Sequence, residues 1–123
     1  MAVLEMTSQN IEETINNNKI VIIDFWAPWC GPCKQFGPVF EQSASKNLDV
    51  MYAKVNTDSE QEIAGSFEIK SIPTLAIFKE QTLIYFEAGS LPEEALDQIL
   101  TQVKNIDMNQ IREEIKKRES GES

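Results

Sequence analysis

Residues 19–38 read KIVIIDFWAPWCGPCKQFGP, and this stretch decides the fold. Lys19–Ala27 is a continuous β-branched and aromatic run, which fits a strand covered on both faces, as in the middle of a mostly parallel sheet. From Cys30 onward the pattern reads as a helix that begins at the cysteines. Pro32 is tolerated near its start, where its missing N–H would be unpaired anyway. Pro38 lies inside the pattern and should kink the helix rather than start it.

Before this unit, Val3–Met6 reads as a short edge strand. "TSQNIEETINNN" then gives a short helix, with Asn10 and Glu13 at capping-box spacing and Ile11 and Ile15 four apart. After it, "DVMYAKVNTD" is a second central strand, and "SEQEIAGSFEI" a short helix opened by Asp58 or Ser59. "PTLAIFKEQTLIYFEAG" gives two strands close enough for an antiparallel hairpin. "LPEEALDQILTQVKN" is a helix with Pro92 and two glutamates in its first turn. Its apolar positions Leu96, Ile99, Leu100 and Val103 follow helical spacing, which drifts afterwards. Asp107 and Gln110 make a second capping box, so a break is expected near 105–107. A separate helix should run to about Glu119, with Met108, Ile111 and Ile115 on one side and "SGES" frayed. The order β-α-β-α-β-α-β-β-α plus an extra helix defines an α/β protein: a mixed sheet of about five strands flanked by about four helices.

At 123 residues the chain is one domain's worth, long enough to bury a core without cross-links. No run approaches the roughly eighteen apolar residues of a membrane span, and "MAVLEMTSQNIEE" does not read as a signal peptide. A cytoplasmic location is expected, where a lone cysteine pair is more often catalytic or metal-binding than structural. Net charge is −9, all of it in residues 1–103, while residues 104–123 hold five basic and five acidic side chains. An acidic domain repels phosphate backbones, so nucleic acid is not an expected partner.

Cys30 and Cys33 are the only cysteines, and three readings compete for them. A zinc site needs about four ligands; the chain has no histidine and no further cysteine, so a metal would need two copies pooling their pairs. A structural disulfide across two residues closes too short a loop to constrain the unfolded chain much. Redox chemistry fits the local context. The thiolate is the nucleophile, and a helix N-terminus favours it. Cys33, three positions on, lies on the same helix face, within reach of a bond to Cys30. Pro32 pre-sets the turn, and Trp29 offers a flat apolar surface beside a thiol expected to be exposed. A cysteine pair placed after a buried strand and opening a helix is a strong redox signal.

"WCGPCK" after "IIDFWAP" resembles the thioredoxin family, and "AKVNTD", "IKSIPTLAIFK" and "EAGSLPEEAL" follow in that family's order and at similar spacings. The resemblance implies a thioredoxin domain over residues 1–104, with 105–123 an extension. It implies reduction of protein disulfides with no bound cofactor. Cys30 would attack and Cys33 would be the buried, resolving cysteine. Electrons would come from NADPH through thioredoxin reductase, a flavoprotein; the clients would be disulfide-containing proteins. Asp24, set in an apolar strand, could be a strand-end residue facing solvent. The resemblance instead buries it below Cys33 as that residue's acid and base, with Lys54 nearby favouring its ionised form. Sequence alone makes Ile72–Pro73 trans; the resemblance makes it cis and facing the cysteines, leaving the Ile72 backbone free to pair with an extended substrate segment. Trp29, Gly31, Pro32, Ile72, Pro73 and Gly89 complete the substrate-facing set that it implies.

Four features depart from the family pattern. "FKEQTLI" lacks a glycine, which argues against a tight two-residue hairpin turn. Thr57 stands where a more apolar residue often borders the substrate groove, and Ser90 follows Gly89 where alanine is frequent. Residues 105–123 exceed a minimal member of the family and could pack on the domain, mediate self-association or partner binding, or stay mobile; a monomer is the simplest expectation. The rival readings are a binding module that uses the last helix as a handle, and a disulfide isomerase or oxidase. The Gly-Pro dipeptide disfavours the latter pair.

Overall fold

Ile20–Trp26 form the central strand of a five-stranded mixed sheet in a computed structural model that describes residues 3–121. In chain order the elements are β1 (Val3–Glu5), α1 (Ile11–Asn17), β2 (Ile20–Trp26), α2 (Gly31–Lys46), β3 (Met51–Asn56) and α3 (Gln61–Ser66). β4 (Thr74–Lys79), β5 (Thr82–Ala88), α4 (Glu93–Asn105) and α5 (Met108–Glu119) follow. The sheet runs β1-β3-β2-β4-β5: β3 pairs parallel with β1 and β2, whereas β4 pairs antiparallel with β2 and β5.

The apolar run of β2, interrupted only by Asp24, is explained by burial on both sides of the sheet. Ile20 and Ile22 join Phe36, Phe40 and Ala44 of α2 and Leu96, Leu100 and Val103 of α4 in one core. Val21, Ile23 and Phe25 face the other core, with Ile63 of α3 and partly buried Ile11 and Phe67. Each of the larger aliphatic and aromatic side chains contributes roughly 1.5–3 kcal/mol by leaving water. Phe40 sits edge-on to Tyr52, whose hydroxyl lies 2.6 Å from Ser43 Oγ, so the largest polar group of that core is satisfied.

Several local expectations are corrected. Asn10 precedes α1 but makes no side-chain cap: its Oδ1 accepts from Thr7 N and its Nδ2 donates to Glu5 O, so its amide is spent on the turn before the helix. α3 is capped at Glu60, later than Asp58 or Ser59, because Asp58 N–H donates to Asn56 Oδ1 in a turn that ends β3. The β4–β5 connection is a tight two-residue turn despite its lack of glycine. Glu80 and Gln81 both take positive φ, 49° and 69°. Tertiary bonds hold them there: Glu80 N–H donates to Lys19 O, and Gln81 Nε2 to Asn16 O.

The break between the last two helices falls at Ile106 and Asp107, as expected. Asp107 Oδ1 accepts from the N–H groups of Asn109 and Gln110, capping α5. Lys79, 3% exposed at the end of β4, donates through Nζ to the carbonyls of Val103 (2.7 Å), Lys104 (3.1 Å) and Ile106 (3.0 Å). These carbonyls lie at the C-terminal end of α4, where Val103 O also accepts from Ile106 N–H, so a buried ammonium stands in for the usual glycine cap. α5 is fastened by buried Met108 and by Arg112 Nη1, 3.0 Å from Glu80 Oε1. Ile111 and Ile115 are half-buried. The last two residues of "SGES" lie outside the described residues. No described helix is long and apolar enough to cross a membrane.

Candidate functional site

β2 ends at Trp26, the chain turns through Cys30 N–H to Ala27 O, and α2 starts at Gly31 with Cys30 as its N-cap. The helix then continues through Pro38. This short connection fixes both cysteines. They are joined in a disulfide with Cα atoms 5.2 Å apart. Cys30 Sγ also accepts from Cys33 N–H at 3.2 Å, so a free backbone donor of the first turn points at it. The helix dipole and that N–H both favour negative charge on the Cys30 sulfur once the pair is reduced.

Cys30 is 4% exposed and Cys33 5%. The exposure expected for Cys30 is thus corrected: its sulfur lies 3.7 Å from Ile72 O, under the loop that precedes β4, and Ala27, Trp26 and Ile72 pack around the pair. Trp29 is the exposed member, at 68%. Its Nε1 donates to both carboxylate oxygens of Asp58, at 3.2 and 3.0 Å, which anchors the ring beside the pair.

Asp24 does not face solvent. It is 4% exposed, and Oδ1 has no hydrogen-bond partner. It lines a cavity of about 200 Å³ together with Trp26, Cys33, Lys34, Phe40 and Lys54, so the carboxyl and the second cysteine open onto one space. Burial raises the Asp24 pKa from 3.8 to about 7, with the Lys54 charge pulling weakly the other way. Desolvation wins because the lysine, though opposite Asp24 in the β2/β3 register, is partly solvated. A carboxyl at that pKa can take up or give a proton near neutrality, and a cavity of this size can carry the proton to Cys33 through water.

The Ile72–Pro73 bond is cis. Gly89, at φ 114°, donates its N–H to Pro73 O at 2.7 Å, and a side chain there would meet open space. Glycine is required by the backbone angle rather than by crowding. Gly31 and Pro32 are exposed in the first turn of α2. Thr57, one of the polar departures, has both its N–H and its Oγ1 engaged by Trp26 O, at 2.9 and 3.0 Å, so its hydroxyl is turned inward. The structure therefore gathers Cys30, Cys33, Ile72, Pro73 and Trp29 at one end of the sheet, joins Gly89 to them through Pro73, and sets Asp24 and Lys54 beneath.

The partnership of Asp58 with Trp29 spans 29 residues and leaves no local signal in the sequence. Among the described residues no group of three or more His, Cys, Asp or Glu converges where a metal could sit.

A capped cysteine pair at the head of a helix, beside a buried acid, exchanges thiols for disulfides. The fold and site define a thiol–disulfide oxidoreductase of the protein-disulfide reductase class. The Thioredoxin family model matches residues 2–102, and the chain belongs to the thioredoxin family. It is 46% identical over 112 residues to a Streptomyces coelicolor protein classed as thioredoxin 2, covering 91% of this chain and 84% of that one. It is 41% identical over 98 residues to the thioredoxin of Pyropia yezoensis, covering 78% and 92%. Among solved structures, a thioredoxin variant from Halobacterium salinarum superposes with a TM-score of 0.78 at 28% identity, covering 85% of this chain and 93% of that one. The Malassezia sympodialis thioredoxin gives 0.73 at 34%, covering 81% and 89%.

Proposed function

We propose that Cys30 is the attacking residue and Cys33 the resolving one, with Asp24 as acid and base. The Cys30 thiolate attacks one sulfur of a client disulfide, forming a mixed disulfide and displacing a client thiolate that takes a proton. Asp24 accepts the Cys33 proton, and the Cys33 thiolate attacks Cys30 Sγ. The Cys30–Cys33 disulfide forms, the second client thiol leaves, and two electrons have passed to the client. The observation that carries this is the shared cavity: the unpartnered Asp24 carboxyl and Cys33 line one space while Cys30 caps the helix.

Lys54 tempers Asp24, and Trp29, Gly31, Pro32, Ile72, Pro73 and Gly89 form the surface for an extended client segment, with the Ile72 backbone pairing to it. Thioredoxin reductase, a flavoprotein drawing on NADPH, returns the disulfide to dithiol. The protein works in the cytoplasm as a monomer on disulfide-containing proteins. Residues 1–104 are the catalytic domain and 105–123 an extension, whose helix α5 is held on the domain through Met108 and Arg112 while Lys79 fastens the Ile106 carbonyl before it.

Trapping tests the assignment of roles. Cys33→Ser should accumulate mixed disulfides with client proteins, released by dithiothreitol, whereas Cys30→Ser should accumulate none. Equal trapping by both variants contradicts it.

A further inference from the structure

We propose that Trp26 is a positioning residue: its indole face holds the Lys54 ammonium beside Asp24 and keeps it from Glu5. The inference deepens the acid–base role given to Asp24 and rests on that reading.

Lys54 stands between two carboxylates. In register it pairs with Glu5 of β1 on one side and Asp24 of β2 on the other. All three lie on the sheet face covered by α2, with neighbouring strands about 4.8 Å apart. A lysine stem spans that distance in either direction. Glu5 is exposed and Asp24 buried, so burial penalises charge on Asp24 and not on Glu5. On charge alone the ammonium would then lean outward to Glu5. It does not: among the described residues Lys54 makes no ion pair, and its Nζ lies 5.3 Å from the centroid of the Trp26 ring. A partly desolvated cation over an indole face is held at least as firmly as one in an exposed ion pair.

Trp26 is fixed in turn. Its backbone carbonyl takes two bonds from Thr57, and its ring lines the same cavity as Asp24, Lys54 and Cys33. The other charged groups on that cavity are Lys34 and Glu41, both from α2. The ring therefore keeps a cation in place before Asp24 ionises. Asp24 does not have to recruit its counter-charge each time a proton moves, and Trp26 acts on the reaction without touching the sulfurs.

The test is the Asp24 carboxyl titration, followed by carbon NMR in the oxidised protein. Trp26→Leu should raise the Asp24 midpoint by about half a pH unit, because a lysine that wanders toward Glu5 no longer offsets desolvation. Trp26→Phe keeps a π face and should stay near the wild-type midpoint. In a Lys54→Met background, Trp26→Leu should add nothing. An equal Trp26→Leu shift in both backgrounds, or no shift at all, overturns the proposal, because packing alone or nothing would then link Trp26 to Asp24. A reading that needs no variant comes from wild-type protein, where the Lys54 ε-methylene protons should be moved upfield by the indole ring current. Resonance at the position of an ordinary exposed lysine overturns it too. These readouts use the disulfide form and stand whether or not Asp24 proves to serve Cys33, which only turnover reports.

Discussion

Asp24 and Lys54 face each other across the β2/β3 ladder, and burial rather than the lysine governs the carboxyl, whose pKa is pushed up to about 7. The folded state thus binds the Asp24 proton more tightly than the unfolded chain does. Below about pH 4 the group is protonated in both states and costs nothing. The cost grows as pH rises from about 4 to 7 and is complete above that. Asp24→Asn removes it. Denaturant unfolding should find the variant more stable by on the order of 2–4 kcal/mol at pH 8 and close to wild type at pH 4. A stability difference independent of pH contradicts the burial assignment.

The same substitution should slow turnover. Without a positioned base, Cys33 must lose its proton to bulk water, and insulin reduction at pH 7 should fall about 100-fold, the low end of acid–base contributions. The wild-type rate should inflect near pH 7, and the variant should lack that inflection.

Lys79 is the most deeply placed cation among the described residues, and its three carbonyl partners belong to the end of α4 and the residue that leads into α5. Lys79→Met leaves those acceptors under an apolar side chain, which should cost about 1–3 kcal/mol in denaturant unfolding. Amide exchange should rise in residues 108–119 more than in β2, because α5 loses one of its few fastenings.

At the β4–β5 turn, Gln81 carries φ 69°, a conformation that costs a non-glycine residue energy. Gln81→Gly should raise stability by roughly 0.5–1 kcal/mol, read as a higher denaturation midpoint with unchanged insulin reduction.

What could be read from the sequence was whatever a residue's own neighbours determine. Ile20–Phe25 announced a doubly covered strand because nearly every position is apolar, and both cores do claim them. Asp107 announced a helix start because its side chain reaches only two and three residues ahead. The Cys30–Cys33 pair was legible for the same reason, since one turn of helix brings the sulfurs together. What escaped depends on distant partners. Glu80 and Gln81 accept an unfavourable backbone because Lys19, Asn16 and Arg112 hold the turn. The burial of Lys79 is of the same kind, since the main-chain carbonyls that hold it leave no mark in a sequence. Cys30 is covered by Ile72, forty-two residues on, which no local pattern around the cysteines contains. The place of Asp24 came from the family resemblance, and the burial of its carboxyl from the folded chain.

The proposed mechanism passes two electrons to protein disulfides through Cys30. It is tested most directly by insulin reduction with NADPH and a thioredoxin reductase, followed as NADPH consumption, with wild type beside Cys30→Ser. Steady turnover is expected from wild type and none above background from the variant. No turnover by either, with both proteins folded, would contradict it and leave a thioredoxin fold that binds partners without reducing them.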